Sequence, residues 1–310
     1  IMVTHLSYTA MTVVDSIFVA RLGMDELAGI GIAWPTSMLA ISFGIGVLAG
    51  CKVLASQRFG AGDEPGARRT AWQGLWLAVG MGCCVAPLAV TGQSLFTALG
   101  VGGETVDHAS MFFGIRTASA PIIFWRFALA HWLIARGRTR ITMVTGVTAN
   151  GINVLLDPVL IFGWGPIPAL GVAGAAISTL LSLAIEAAIL LGCTWPYLRT
   201  VDANPDRVVI AEVWRLGLPV AVMHVLDVAS WVFFVSILSH LGEIHLAAHV
   251  IAIRIYCISY LPGLALSEAA GVLVGQAVGA KDPEAARRAF ASATRLAVGI
   301  MATCGLVFVL

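Results

Sequence analysis

Three polar side chains near the middle of the chain have types and spacing that could serve chemistry. Asn150, Asn153 and Asp157 are three and four residues apart, so on a helix they lie along one face. The run that carries them, N-G-I-N-V-L-L-D-P-V-L-I-F-G (150–163), is otherwise apolar. A carboxylate and two amides in such a run are costly against lipid, so they must face protein or a wet cavity. Pro158 follows Asp157 directly, cannot donate an N–H, and weakens the helix there. The residues leave two readings open: an intramembrane functional site, or a buried polar knot that pins two helices together.

Other polar groups repeat at helical spacing. Thr4, Tyr8, Thr12 and Asp15 form a stripe ending in a carboxylate, either interhelical glue or a second functional acid. Ser178, Ser182 and Glu186 share a face, and an ion pair between Glu186 and Arg126 is the expected use of that acid. His224 and Asp227 lie three apart, with Trp231 four further on. A carboxylate beside an indole suits an organic cation, but a lipid-facing Trp231 and a packing His224 fit equally well. Arg254 and Glu268 are four helical turns apart, so each needs another partner. His245 and His249 have i, i+4 spacing, with His240 nearby, but no third ligand completes a zinc set. No metal set is expected from these spacings. No P-loop, H-E-x-x-H or G-x-S-x-G occurs, and nothing supports an enzyme or a bound cofactor.

The elements that must position these groups follow from composition. The 310 residues are 59% hydrophobic and 11% charged, with mean hydropathy +0.92. Soluble domains carry roughly 25% charge, so the expected class is an all-α polytopic membrane protein. Apolar segments long enough to cross a bilayer fall at about 1–20, 28–57, 71–92, 107–135, 140–163, 168–193, 212–239, 245–276 and 288–310, nine in all. Loops after the even-numbered spans hold twelve Lys and Arg, among them Arg58, Arg136, Arg199 and Lys281, while loops on the other side hold only Arg21. That asymmetry places the chain's start in the cytoplasm. The six cysteines lie in apolar runs without CxxC spacing, so they read as small packing residues. There is no signal-peptide pattern, and both ends fall inside apolar runs, as cuts through helices would.

A repeat is visible at an offset of 219 residues: Leu22-Gly23 matches Leu241-Gly242, Q-R-F-G-A-G-D (57–63) matches Q-A-V-G-A-K-D (276–282), and Ala67-Arg68-Arg69 matches Ala286-Arg287-Arg288. Six spans separate the copies, so both halves have one orientation, and a site is expected near the midplane. The expected organisation is a six-helix lobe over 1–193, a cytoplasmic linker over 194–211 and a partial second lobe of three helices over 212–310.

These motifs together resemble a known family. The runs H-W-L-I-A-R-G-R-T-R-I-T (131–142), N-V-L-L-D-P-V-L-I-F-G-W-G (153–165) and G-V-A-G-A-A-I-S-T (171–179) are similar to the fourth-to-sixth-helix region of multidrug and toxic compound extrusion (MATE) transporters. V-D-S-I-F-V-A-R-L-G (14–23) resembles the end of that family's first helix, and L-G-L-P-V-A (216–221) the start of its seventh. The resemblance implies twelve helices in two parallel lobes, of which this chain would lack the last three. It implies a cation-coupling network of Asp15, Asn153 and Asp157, with Na+ at Asp15 and Asp157 as the only metal. It also places Asp227 where other members carry a second-lobe acid, usually glutamate. A polar partner from the sixth helix would be Ser178 or Thr179, with Tyr8, Thr12, Asn150, His224 and Trp231 as further cavity candidates.

The implied activity is H+- or Na+-coupled antiport that exports organic, cationic or amphipathic drugs and toxic compounds. The implied partners are small molecules and the lipid of a bacterial inner membrane, with no nucleic acid, and the implied state is a monomer. Three rivals remain. A flippase for a lipid-linked precursor of the same superfamily would need a more basic cavity. An intramembrane aspartyl protease would need G-x-G-D, where Leu155-Leu156 precede Asp157. A channel fits the two-lobe repeat poorly.

Overall fold

The computed structural model describes residues 2–166, 168–241 and 243–309, with the side chains of 236, 239–248, 250–251, 254–255, 257–259 and 307–309 outside the described set. His240, His245 and Arg254 therefore lie outside the described residues as side chains. The helices are α1 (Met2–Ala20), α2 (Met24–Gly60), α3 (Glu64–Val85), α4 (Gly92–Ala98), α5 (Glu104–Ala118), α6 (Ala120–Ala135), α7 (Thr139–Phe162), α8 (Val172–Leu198), α9 (Arg207–Leu241), α10 (Glu243–Gly279) and α11 (Pro283–Val309). A 3-10 turn, Ala86–Thr91, joins α3 to α4. Among the described residues, eight helices are long and apolar enough to cross a membrane, and nine when α5 and α6 count as one span. The all-α membrane fold expected from composition is the fold observed.

Several spans are longer than their apolar windows, because polar ends continue the helix to meet the loops. The segment expected as one straight span over 107–135 is instead bent by 48° between α5 and α6. Ser119 marks the break, and Pro121 in the first turn of α6 has no N–H for the preceding turn. The bend separates Arg116, in the last turn of α5, from Arg126 on α6. Pro158, by contrast, does not end α7, which continues to Phe162.

The basic loops gather at one end of the bundle. Arg58 meets Glu212 at 3.1 Å, Arg136 meets Glu64 at 3.5 Å, Arg68 donates to Thr200 at 3.0 Å, and the Gln276 amide donates to the Ala135 carbonyl at 2.8 Å. There the two copies of the repeat meet at matching positions. A Cβ on Gly60 would strike the Gln276 backbone, and one on Gly279 would strike the backbone of Gln57. Gly60 and Gly279, and likewise Gln57 and Gln276, are separated by the repeat offset of 219 residues, so α2 and α10 cross about an approximate two-fold axis.

The packing that matters most for the polar groups is α7 on α8. Gly163 closes α7 with φ +80° and Gly171 opens α8 with φ +55°, conformations that favour glycine. Leu170 and Gly171 return their N–H groups to the carbonyls of Leu160 and Ile161 at 3.0 and 3.1 Å, folding the two helices together. At Gly174 a Cβ would enter the Leu160 backbone, so only a missing side chain lets α8 approach this closely. Gly174→Val is expected to cost about 1–3 kcal/mol through overpacking, read as a lowered thermal midpoint in detergent. Gly151→Val serves as the control, since nothing lies within 4 Å of its added Cβ. Equal midpoints for the two variants would show that α7 and α8 part without cost.

Candidate functional site

Asp157 and Asn153 project from α7, Ser178 and Thr179 from α8, and Asp15 from α1. Asn153, Asp157 and Ser178 are completely buried, at 0% exposure, and Thr179 is buried at 8%. The approach of α8 at Gly174 brings Ser178, one turn further on, against Asp157. The Ser178 hydroxyl donates to Asp157 Oδ1, and its oxygen also lies 3.0 Å from the Ala175 carbonyl. Of the two α8 candidates left open by the sequence, Ser178 supplies the side chain. Thr179 turns its hydroxyl to the Ala175 carbonyl at 2.9 Å and contributes its backbone N–H instead.

Asn153 stands between the two acids. Oriented to satisfy both ends of its amide, it donates to Asp15 Oδ1 at 3.0 Å and accepts from Ser178 Oγ and the Thr179 N–H, each at 3.3 Å. Asn153 thus brings the Asp15 carboxyl to the Ser178 hydroxyl that holds Asp157. Asp157 Oδ2 is buried without a donor among the described residues. Carboxylate oxygens bring no hydrogen to such a meeting, so a proton or a small cation must neutralise it. The surrounding donors are all oxygens or an amide, a set suited to a hard cation. Pro158 leaves the Val154 carbonyl without its helical donor, one turn from Asp157.

A cavity of about 280 Å³ lies within the bundle, bounded by α1, α2, α5, α6, α7, α8 and α10. Tyr8, Arg116, Arg126, His131, Glu186 and Glu268 line it. Arg126 and Glu186 pair at 3.3 Å, as expected, and the guanidinium stacks 4.1 Å above the Phe127 ring. Glu268 on α10 finds two partners, Lys52 on α2 at 3.3 Å and His5 on α1 at 3.7 Å. His131 Nδ1 lies 3.1 Å from the Leu48 carbonyl.

The other sequence candidates are elsewhere. Asn150 shares the face of α7 but donates to Ser7 on α1, about 10 Å along the helix axis from Asp157. Thr12 returns its hydroxyl to the Thr9 carbonyl at 2.8 Å. On α9, Asp227 and His224 are exposed, and the Trp231 ring packs 6.0 Å from His249. The structure does not bring these three to the Asp15–Asp157 cluster. Sequence reasoning passed over His5, Lys52, Arg116 and His131. Lys52 and Arg116 carried a usable signal, because each is a charge inside an apolar span.

Comparison with known proteins identifies the setting. The chain matches the MatE family over residues 1–159 and 219–310. It is 30% identical over 303 residues to a probable multidrug resistance protein NorM of Pseudomonas putida, covering 96% of this chain and 65% of that protein. It is also 30% identical over 323 residues to a protein of the same description from Brucella suis, covering 99% of this chain and 67% of the relative. The chain thus spans about two thirds of the length of these relatives. A solved MOP superfamily transporter from Pyrococcus furiosus superposes with a TM-score of 0.87 at 28% identity, covering 96% of this chain and 67% of that one. The chain belongs to the MatE family, whose members are membrane transporters and not enzymes.

Proposed function

We propose that this chain forms the cation-coupling part of an antiporter, in which H+ or Na+ runs inward while an organic compound, cationic or amphipathic, leaves the cell. The observation that carries the reading is the cluster in which Asn153 donates to Asp15 while Ser178 donates to the fully buried Asp157. Relatives described as probable multidrug resistance proteins support export of organic compounds.

The site works by forced neutralisation. Two acids gathered at one amide in an apolar setting hold one cation between them, and losing it leaves repulsion that the protein must relieve by moving. The Asn153 amide holds Asp15 within the cluster, and Pro158 gives α7 a point at which to bend. One charge entering down 100 mV supplies ~2.3 kcal/mol, enough for about a fifty-fold gradient of exported compound at full coupling. Tyr8 and the paired charges of the cavity offer the compound an aromatic face and polar contacts.

The same reading assigns 1–193 to one lobe, 194–211 to a linker and 212–310 to part of a second lobe, supported by the matched crossing of α2 and α10. Asp227, with His224 and Trp231, belongs to that second lobe as a separate polar group. The end that collects the basic loops faces the cytoplasm, which puts the start of the chain there, in a bacterial inner membrane. The transporter acts as a monomer and needs no cofactor beyond its coupling ion.

Asp157→Asn keeps the shape of the side chain but removes the exchangeable charge. In proteoliposomes it is expected to lower cation-driven transport of a fluorescent organic cation by at least about tenfold, the effect of losing roughly 1.4 kcal/mol of coupling. Wild-type transport by this variant would remove Asp157 from the coupling site. Imposing pH and sodium gradients separately on the unmodified protein gives the second check. One gradient alone should drive transport, and transport that is undiminished with neither would end the antiport reading.

A further inference from the structure

Charge pairing along the cavity is complete except at one residue. Both oxygens of Glu186 meet Arg126, and the two of Glu268 meet Lys52 and His5. Arg116, in the last turn of α5, lines the same cavity and is only 8% exposed. No hydrogen bond or ion pair reaches its guanidinium among the described residues. Its Nε is enclosed without an acceptor, while the two Nη atoms are not closed off and open to the cavity. Two other lining groups hold an enclosed polar atom without a partner, the Thr4 hydroxyl and Arg126 Nε. A guanidinium nitrogen only donates, so what this lining lacks is an acceptor. With the histidines neutral, the charges around the cavity leave one positive charge over, that of Arg116.

We propose that Arg116 is an anion subsite of this cavity, and that its ligand carries one monoanionic group, a carboxylate or a phosphate ester, on an apolar body. An arginine keeps its proton at physiological pH, and an unpaired buried cation is costly in a membrane protein. A ligand that brings an acceptor offsets that cost, and the planar guanidinium fork matches the two oxygens of a carboxylate. A compound whose only charge is positive meets Arg116 as a like charge. The rest of the lining suits the apolar body. Met38, Ile45, Ile123, Phe127, Ile134 and Leu183 form its wall. Arg116 and Arg126 stand on either side of the 48° bend, at most about 15 Å apart along the helix path. Thr4 lies with the Arg126–Glu186 pair, since a Cβ on Gly146 would fall 2.8 Å from Thr4 Cγ2 and 3.7 Å from Glu186 Oε1. The cavity therefore offers a charge at one position, hydrogen-bonding groups at another, and apolar side chains along the rest.

This inference rests on the cavity being where the exported compound sits, and the experiment keeps the two readings apart. Binding of 7-(diethylamino)coumarin-3-carboxylate and of its 3-carboxamide, alike in shape and different in charge, is followed by fluorescence anisotropy. The protein is held in phosphatidylcholine nanodiscs at neutral pH, with empty nanodiscs as the blank. Wild type should bind the carboxylate at least about tenfold more tightly than the amide, as expected for a charge-assisted hydrogen bond. Arg116→Gln should remove that preference by weakening the carboxylate alone. Arg116→Lys, which keeps the charge without the fork, should retain part of it. Equal affinities in wild type overturn the proposal. So does an unchanged preference in Arg116→Gln, or a preference lost as fully in Arg116→Lys. If Arg116→Gln fails to fold, the uncharged Arg116→Met takes its place with the same expectation, and if neither folds the wild-type preference decides alone. Octanoate and dihexanoyl-phosphatidylglycerol are then compared as competitors of the probe. Displacement by octanoate supports a small carboxylate, and displacement by the lipid alone assigns the same subsite to a headgroup. Gradient-driven transport of the amide together with equal affinities would sink the subsite and keep the antiport reading. Carboxylate-selective binding without transport under either gradient would keep the subsite and end the antiport reading.

Discussion

Two acids from helices 142 residues apart in sequence meet inside an apolar bundle, and the rest of the structure is arranged around that repulsion. In water such a meeting is cheap, because solvent screens it. Between α1, α7 and α8 there is no such screen, so each surrounding group has to be a donor, a cation or a route for one. Asn153 supplies an amide donor, Ser178 a hydroxyl and Thr179 a backbone N–H. Those contacts exist only because α8 lies almost against the backbone of α7 at Gly174. The site is therefore built by helix packing as much as by the residues that compose it.

Around this centre the remaining buried charges tie helices together. The Arg126–Glu186 pair joins α6 to α8, and the Lys52–Glu268–His5 set joins α2, α10 and α1. Taking either partner from a buried pair strands the other, a loss of about 3–5 kcal/mol. The two kinds of charge have different consequences. Paired groups resist change in helix positions, whereas Asp157 Oδ2 is buried with no donor to hold it among the described residues.

Much of this was legible in the sequence, for a physical reason. A charge inside an apolar span is rare enough to be noticed by position alone, so Asp15, Asp157 and the Arg126–Glu186 pairing could be inferred without coordinates. The fold class followed from the same poverty of charge, and the repeat from a matched polar loop. What could not be read depended on how far along and around its axis each helix is set. Asn150 shares a face with Asp157 but sits two turns away and meets Ser7 instead. Ser178 and Thr179 are neighbours in sequence, yet only one turns its side chain to Asp157. Periodicity gives direction around one helix, and it carries no information about the height at which a second helix crosses. The bend after Arg116 was hidden for a similar reason. Pro121 was visible, but a proline near a helix start is compatible with either a straight entry or a break.

The crossing of α2 and α10 has an evolutionary consequence. Gly60 packs on Gln276 and Gly279 on Gln57, so each copy of the repeat supplies both the knob and the socket for the other. After a duplication most positions in two copies are free to diverge, because each answers to a different neighbourhood. Here the neighbourhood of each glycine is the other copy. A bulkier residue at either position would push the same two backbones apart at the same joint, so neither copy can drift without regard to its twin. That mutual constraint gives a reason for the close kinship of Q-R-F-G-A-G-D and Q-A-V-G-A-K-D, and makes this short stretch the place where the duplication left its most durable imprint.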